Sequence, residues 1–177
     1  QLDAEEIVVV SPDEGSIKRA LQHMKRLGGH LAIIDKRRAT AEKTKAEHII
    51  GAKVQGKVAL IFDDLISTAS SICGAARVMH EHGARAIYLA ATHGLLVGPA
   101  VENLRKAPID GLILTDTIPL APEKNFDKVT VLSVAPLLGE AIKRIHRNES
   151  VSRLFRQAES KEPARGSASA HQTRQST

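Results

Sequence analysis

Aromatic residues are nearly missing from this chain: three Phe, one Tyr and no Trp, 2% of 177 residues. With so few rings to stack bases, the formal net charge of +5 does not by itself argue for nucleic acid. The cations are scattered among residues 36–45, 143–147 and the C-terminal tail, which suits anionic small molecules better. There is one cysteine, Cys73, so an internal disulfide is excluded and a reducing cytoplasm fits. Cys73 stands near the start of a predicted helix but reads as small core filler. No apolar run approaches the ~20 residues a membrane span needs, and no secretory signal pattern is visible. No internal repeat is apparent either. What remains is an aliphatic chain, 42% hydrophobic, with about one domain's worth of residues.

Apolar runs alternate with helical patterns along the chain. Ile7, Val8, Val9 and Val10 form a strand that ends in the turn Ser11-Pro12-Asp13-Glu14-Gly15. Ile17, Ala20, Leu21, Met24 and Leu27 share one face of a helix, which Gly28 and Gly29 terminate. Further strands are expected over residues 31–34, 49–50, 58–62, 86–91, 111–115 and 129–132, with helices over 98–106 and 135–147. This alternation predicts an α/β fold: a twisted, mostly parallel sheet with right-handed crossovers and helices on both faces. Ligands in such sheets gather at the carboxyl ends of the strands. Asp13, Lys36, Asp63 and His93 all follow predicted strand ends and could converge there. His93 is as easily a satisfied structural histidine as a functional one.

The organising stretch is residues 58–71, VALIFDDLISTASS. The run 58–62 is apolar throughout, as in a strand buried on both faces, and it stops at Asp63 and Asp64. Beyond Ser67, Thr68, Ala69, Ser70 and Ser71 begins a helix with Ile72, Ala75, Ala76 and Met79 on one stripe. Ser70 or Ser71 can cap it, and Gly83 ends it. A helix start offers unpaired N–H groups and partial positive charge, and the hydroxyls add donors, so the loop suits a phosphate. The adjacent carboxylates would repel a phosphate and need other work, gripping sugar hydroxyls or a hydrated Mg2+. The pattern alone is equally compatible with an ordinary strand-to-helix turn.

IFDDLISTASS resembles the ribose-5-phosphate loop of the type I phosphoribosyltransferase fold: a hydrophobic run, two acids, two apolar residues, Asp, Ser or Thr, then Thr, Gly, Gly and Thr. SPDEGSIKRA (11–20), AIIDKRR (32–38), THGLLVGPAVENL (92–104) and SVAPLLGEAIKRIHRNESVSRLF (133–155) resemble, in order, blocks of the ribose-phosphate pyrophosphokinases. The resemblance implies diphosphate transfer from ATP to the C1 hydroxyl of ribose 5-phosphate, with Mg2+, for nucleotide biosynthesis. It implies a catalytic loop carrying Lys36 and Arg38, Arg38 also reaching the sugar phosphate, and a metal-holding role for Asp13. It puts ribose 5-phosphate against Asp63, Asp64 and the five residues Ser67, Thr68, Ala69, Ser70 and Ser71. It also implies a homo-oligomer of the hexamer-of-dimers kind in the cytoplasm, with neither nucleic acid nor membrane as partner.

The chain departs from the family in two ways. Its phosphate loop has no glycine, and Ser70 would lose backbone freedom if that position needs an unusual φ. It is also about half the family's length. The resemblance therefore makes it the C-terminal half of such an enzyme, inactive alone, with residues 1–158 a phosphoribosyltransferase-like domain and 159–177 a disordered tail. Two other readings stay open: a non-catalytic regulatory subunit of such a synthetase, and a nucleobase phosphoribosyltransferase.

Overall fold

The structure, a computed structural model, describes residues 3–35 and 48–156. Its strands are β1 (Ile7–Ser11), β2 (His30–Asp35), β3 (His48–Gly51), β4 (Val58–Ile66), β5 (Ala86–Gly94), β6 (Gly111–Thr115) and β7 (Val129–Leu132). The α-helices are α1 (Ile17–Leu27), α2 (Ser70–Glu81), α3 (Ala100–Lys106), α4 (Ala135–His146) and α5 (Ser152–Arg156). Lys36, Arg38 and the tail 159–177 lie outside the described residues. The chain divides into two compact units, Gln1–Gly139 and Glu140–Thr177. In the second, Glu140 accepts from Arg144 Nε at 2.9 Å and from Lys143 Nζ at 3.4 Å, helical neighbours three and four residues on.

The strands of the first unit form one sheet in the order β3-β2-β1-β4-β5-β6-β7. All neighbours are parallel except β3, which runs antiparallel to β2. All five residues of β1 are buried, as its unbroken aliphatic run requires of a central strand. Alternation along β1 then divides the core. Val8 and Val10 join Ala59, Ile61 and the buried stripe of α2 in one cluster. Ile7 and Val9 join Ala20 of α1 in the other, with Met24, Leu60 and Phe62 packed against them. Helix α1 thus covers one face, and α2 with α3 the other.

Helix α2 shows why the periodicity was readable. Ile72, Ala75, Ala76 and Met79 are all buried, Met79 completely. Full burial of such a side chain is worth about 1.5–3 kcal/mol. Cys73 is 1% exposed, and burial pushes its thiol pKa up, as befits core filler. At the end of α1, Gly29 has φ +89°, and a Cβ there would stand 2.6 Å from the Ile7 carbonyl oxygen. Only glycine allows the chain to turn so closely under β1. Among the described residues no helix is long and apolar enough to cross a membrane.

The structure corrects the expected end of β4. The strand does not stop at Phe62; it carries both acids and continues to Ile66. The reason is its neighbour: β5 runs equally far, pairing Asp63 with Ala91, Leu65 with His93 and Ile66 with Gly94. On the other side, pairing with β1 ends at Val10 and Ile61. The acidic tip of β4 is therefore laddered along one edge and open along the other.

Candidate functional site

The open edge lies at the switch point of the sheet. The connection from β1 runs through α1 to β2, and that from β4 runs through α2 to β5 on the other side. Between two strands whose crossovers diverge, the carboxyl ends leave a crevice. The β1 end supplies Asp13 and the β4 end supplies Asp63, Asp64 and the hydroxyl loop.

Asp13 caps the short turn that leads into α1. Its Oδ1 accepts from the Ser16 amide at 2.9 Å and the Ser16 hydroxyl at 2.7 Å, and its carbonyl accepts from the Ser11 hydroxyl at 2.7 Å. The carboxylate is fixed by these donors, both of which use Oδ1. Among the described residues no group of three or more His, Cys, Asp and Glu forms a metal cage. One hard oxygen ligand at a strand tip nevertheless suits Mg2+, which keeps waters and phosphate oxygens in most of its coordination shell.

Asp63 and Asp64 share a cation that sequence reading missed. Arg19, on α1, donates from Nη1 to Asp63 Oδ1 at 2.6 Å, and its Nη2 forms an ion pair with Asp64 Oδ2 at 3.0 Å. Asp63 Oδ1 also accepts the Asp64 amide at 2.8 Å, and Asp64 Oδ1 the Leu65 amide at 3.0 Å. The two carboxyls titrate in opposite directions. Burial, aided by a hydrogen bond to Asp64, raises the Asp63 pKa against the pull of its backbone donor and Arg19. The hydrogen bond from Asp63 lowers that of the exposed Asp64, with Arg19 acting the same way. Asp63 is thus the member of the pair that keeps a proton longer. The signal for Arg19 was faint: it precedes the core residue Ala20 at the edge of the helix stripe, and two adjacent acids require a counter-charge.

The hydroxyl loop forms a cavity of about 170 Å³ lined by Asp63, Ser67, Thr68, Ala69, Ser70 and Ser71, among others. Its carbonyls are occupied elsewhere. Ile66 accepts from the Leu95 and Leu96 amides, Ser67 from the Val97 amide at 3.0 Å, and Thr68 from Asn103 Nδ2 at 3.0 Å. Among the described residues the N–H groups of Thr68, Ala69, Ser70, Ser71 and Ile72 have no acceptor. Orphan donors, a helix start and four hydroxyl side chains at one open cavity make a site for an anion.

Two local expectations need correction. Neither Ser70 nor Ser71 caps α2: the cap position is Ala69, with no side-chain cap bond, and Ser70 is already helical. The unusual backbone angle also falls on Ala69, at φ 63° and ψ 3°, and not on Ser70. The turn from β4 into α2 needs one left-handed residue, and here alanine takes it at a cost of about 1–2 kcal/mol.

Next to this cavity lies a larger one of about 460 Å³, whose wall includes His23, Phe62, Asp63, Tyr88, Thr92 and Thr115. Asp63 borders both. With Thr115 and Thr117 both donating to the Thr92 carbonyl, His93 Nδ1 donates to Thr117 Oγ1 at 2.9 Å. His93 is thus tied through Nδ1 to Thr117 at the β5 end. The structure brings together the acid pair and the five loop residues, and sets Asp13 on the adjoining strand end.

Known proteins agree with this architecture. The sequence profile of the phosphoribosyl synthetase-associated domain matches residues 37–156. The ribose-phosphate pyrophosphokinase of Rhodopirellula baltica is 64% identical over 153 residues, covering 86% of this chain and 48% of that protein. The one from Caldanaerobacter subterraneus is 52% identical over 151 residues, covering 85% and 48%. The crystal structure of phosphoribosylpyrophosphate synthetase from Mycobacterium smegmatis superposes with a TM-score of 0.72 at 37% identity, covering 81% of this chain and 46% of that one. Orotate phosphoribosyltransferase from Aeropyrum pernix, at 16% identity and a TM-score of 0.50, shares the fold alone, over 77% of this chain and 66% of its own. The chain spans about half the length of the curated relatives it matches. It belongs to the phosphoribosyl synthetase-associated domain family, and its sheet is that of the type I phosphoribosyltransferases.

Proposed function

We propose that this chain is the C-terminal half of a ribose-phosphate pyrophosphokinase and carries its ribose 5-phosphate site and catalytic loop. In the reaction, the C1 hydroxyl oxygen of ribose 5-phosphate attacks the β-phosphorus of ATP. The bond from that phosphorus to the oxygen bridging the α-phosphorus breaks, and AMP leaves. One observation carries the reading: the anion cavity and the acid pair meet at Asp63, the arrangement that a sugar bearing a terminal phosphate demands.

The residues divide the work. The N–H groups and hydroxyls of Ser67, Thr68, Ala69, Ser70 and Ser71 hold the 5-phosphate. Asp63, with Asp64 beside it, accepts from the ribose hydroxyls. Lys36 and Arg38 stabilise the charge on the diphosphate in transit, one as a point charge and the other as a fork, and Arg38 also contacts the sugar phosphate. Asp13 holds Mg2+, which when bound neutralises phosphate charge. A homo-oligomer in the cytoplasm completes the proposal. The regulatory-subunit and nucleobase-transferase readings gain no specific observation here.

The test is transfer of labelled diphosphate from ATP to ribose 5-phosphate by the full-length protein that contains this chain. Formation of phosphoribosyl pyrophosphate and AMP is expected; consumption of phosphoribosyl pyrophosphate with a purine or pyrimidine base instead would overturn the reading.

A further inference from the structure

Asp63 and Asp64 are consecutive residues of β4, and consecutive strand side chains ordinarily leave on opposite faces. Yet one guanidinium reaches both, with a different nitrogen on each carboxylate. That fork ties the relative orientation of the two acids together, which a bidentate grip on either alone would not do. The helix that carries Arg19 is packed against the same strand. One turn further along α1, His23 lies flat on Phe62, the residue before Asp63, with ring centroids 3.9 Å apart and planes 8° from parallel. The arginine is about one-third exposed and Asp63 slightly less, so solvent only partly screens that arm, while the exposed Asp64 arm is screened more.

Charge supplies a second argument. Asp63 borders the anion cavity, where two uncompensated carboxylates would oppose a phosphate. Arg19 cancels one of those charges without entering the lining of that cavity. We infer that Arg19 is a positioning residue for the sugar site, holding Asp63 and Asp64 in the orientation that receives ribose hydroxyls and offsetting their charge beside the bound phosphate. This rests on the ribose 5-phosphate reading above. It extends that reading to a residue that touches no substrate.

The experiment is calorimetry of ribose 5-phosphate binding to the full-length protein, with kinetics alongside, for Arg19→Met, Arg19→Lys, Asp63→Asn and the Arg19→Met/Asp63→Asn double variant. Hydrogen bonds to charged groups set the expected scale, so Arg19→Met weakens ribose 5-phosphate about 10–100-fold. It raises KM for ribose 5-phosphate and leaves KM for ATP within about twofold, a split that general loosening of the fold would not give. In the Asp63→Asn background the further loss is small, because the two changes remove one interaction. Arg19→Lys keeps the charge and loses the fork; it recovers part of the affinity, and it carries the test should Arg19→Met not fold. Wild-type affinity in both Arg19 variants, or losses that simply add to that of Asp63→Asn, would overturn the inference while leaving the sugar site standing. No ribose 5-phosphate binding by the unaltered protein would instead remove the functional reading, and this inference with it.

Discussion

His23 lies parallel to Phe62 at 3.9 Å, joining α1 to the tip of β4 immediately before the acid pair. Burial, and then the nearby Arg26 and Arg19, lower the His23 pKa from its usual 6.5. The folded protein consequently binds this proton less readily than the unfolded chain. Where the unfolded state holds more protons, stability rises with pH. The His23 contribution is complete above pH 6.5 and is lost as pH falls from there through the lowered value. His23→Phe keeps a stacked ring and removes the proton. Melting temperatures between pH 7.5 and 5 should fall less steeply for His23→Phe than for the unaltered protein; parallel curves would show that His23 does not titrate in this way.

Ala69 sits in the left-handed region and is also buried within the main core cluster. In Ala69→Gly the relief of about 1–2 kcal/mol in backbone strain is offset by a lost methyl, about 0.8 kcal/mol, and by greater chain entropy when unfolded. That variant should be within about 1 kcal/mol of neutral. A β-branched side chain has no such compensation, and Ala69→Val should cost a further ~1–3 kcal/mol. Denaturant unfolding of the two variants measures both; equal stability for Val and Gly would contradict the observed turn.

Asp63→Asn preserves shape and removes the charge that pairs with Arg19 and that the proposed function assigns to the sugar hydroxyls. Ribose 5-phosphate affinity should drop by about tenfold or more, while inorganic phosphate, which needs only the loop, should bind the variant at least as well. Calorimetry with both ligands checks this, and a variant that keeps its affinity for ribose 5-phosphate would free Asp63 of the role.

If the proposed function holds, Lys36→Ala in the full-length protein should cut turnover by orders of magnitude with modest change in ribose 5-phosphate binding, because the proposal has its cation act on charge that develops in transfer. Rates near those of the unaltered enzyme would remove the catalytic-loop assignment.

What could be read from the chain was local. The stripe of Ile72, Ala75, Ala76 and Met79 announced α2 because helix periodicity needs only neighbouring residues. The parallel sheet followed from alternation of strands and helices, and the crevice from where such sheets bind ligands. What escaped reading depended on partners far away. The extension of β4 to Ile66 exists because β5 runs alongside. The Arg19 fork joins residues 44 apart. Alanine carries no signal for a positive φ, so the turn at Ala69 became visible only with the backbone. Asn103 reached the loop carbonyl of Thr68 from a helix 35 residues on, again with no local mark.

Co-crystallisation of the full-length protein with ribose 5-phosphate addresses the shared cavity most directly. The 5-phosphate should lie within hydrogen-bonding distance of the amides of Ser67, Thr68, Ala69, Ser70 and Ser71 and the hydroxyls of Ser67, Thr68, Ser70 and Ser71, with ribose hydroxyls on Asp63. A sugar phosphate bound away from β4, with those amides still facing solvent, would contradict that assignment.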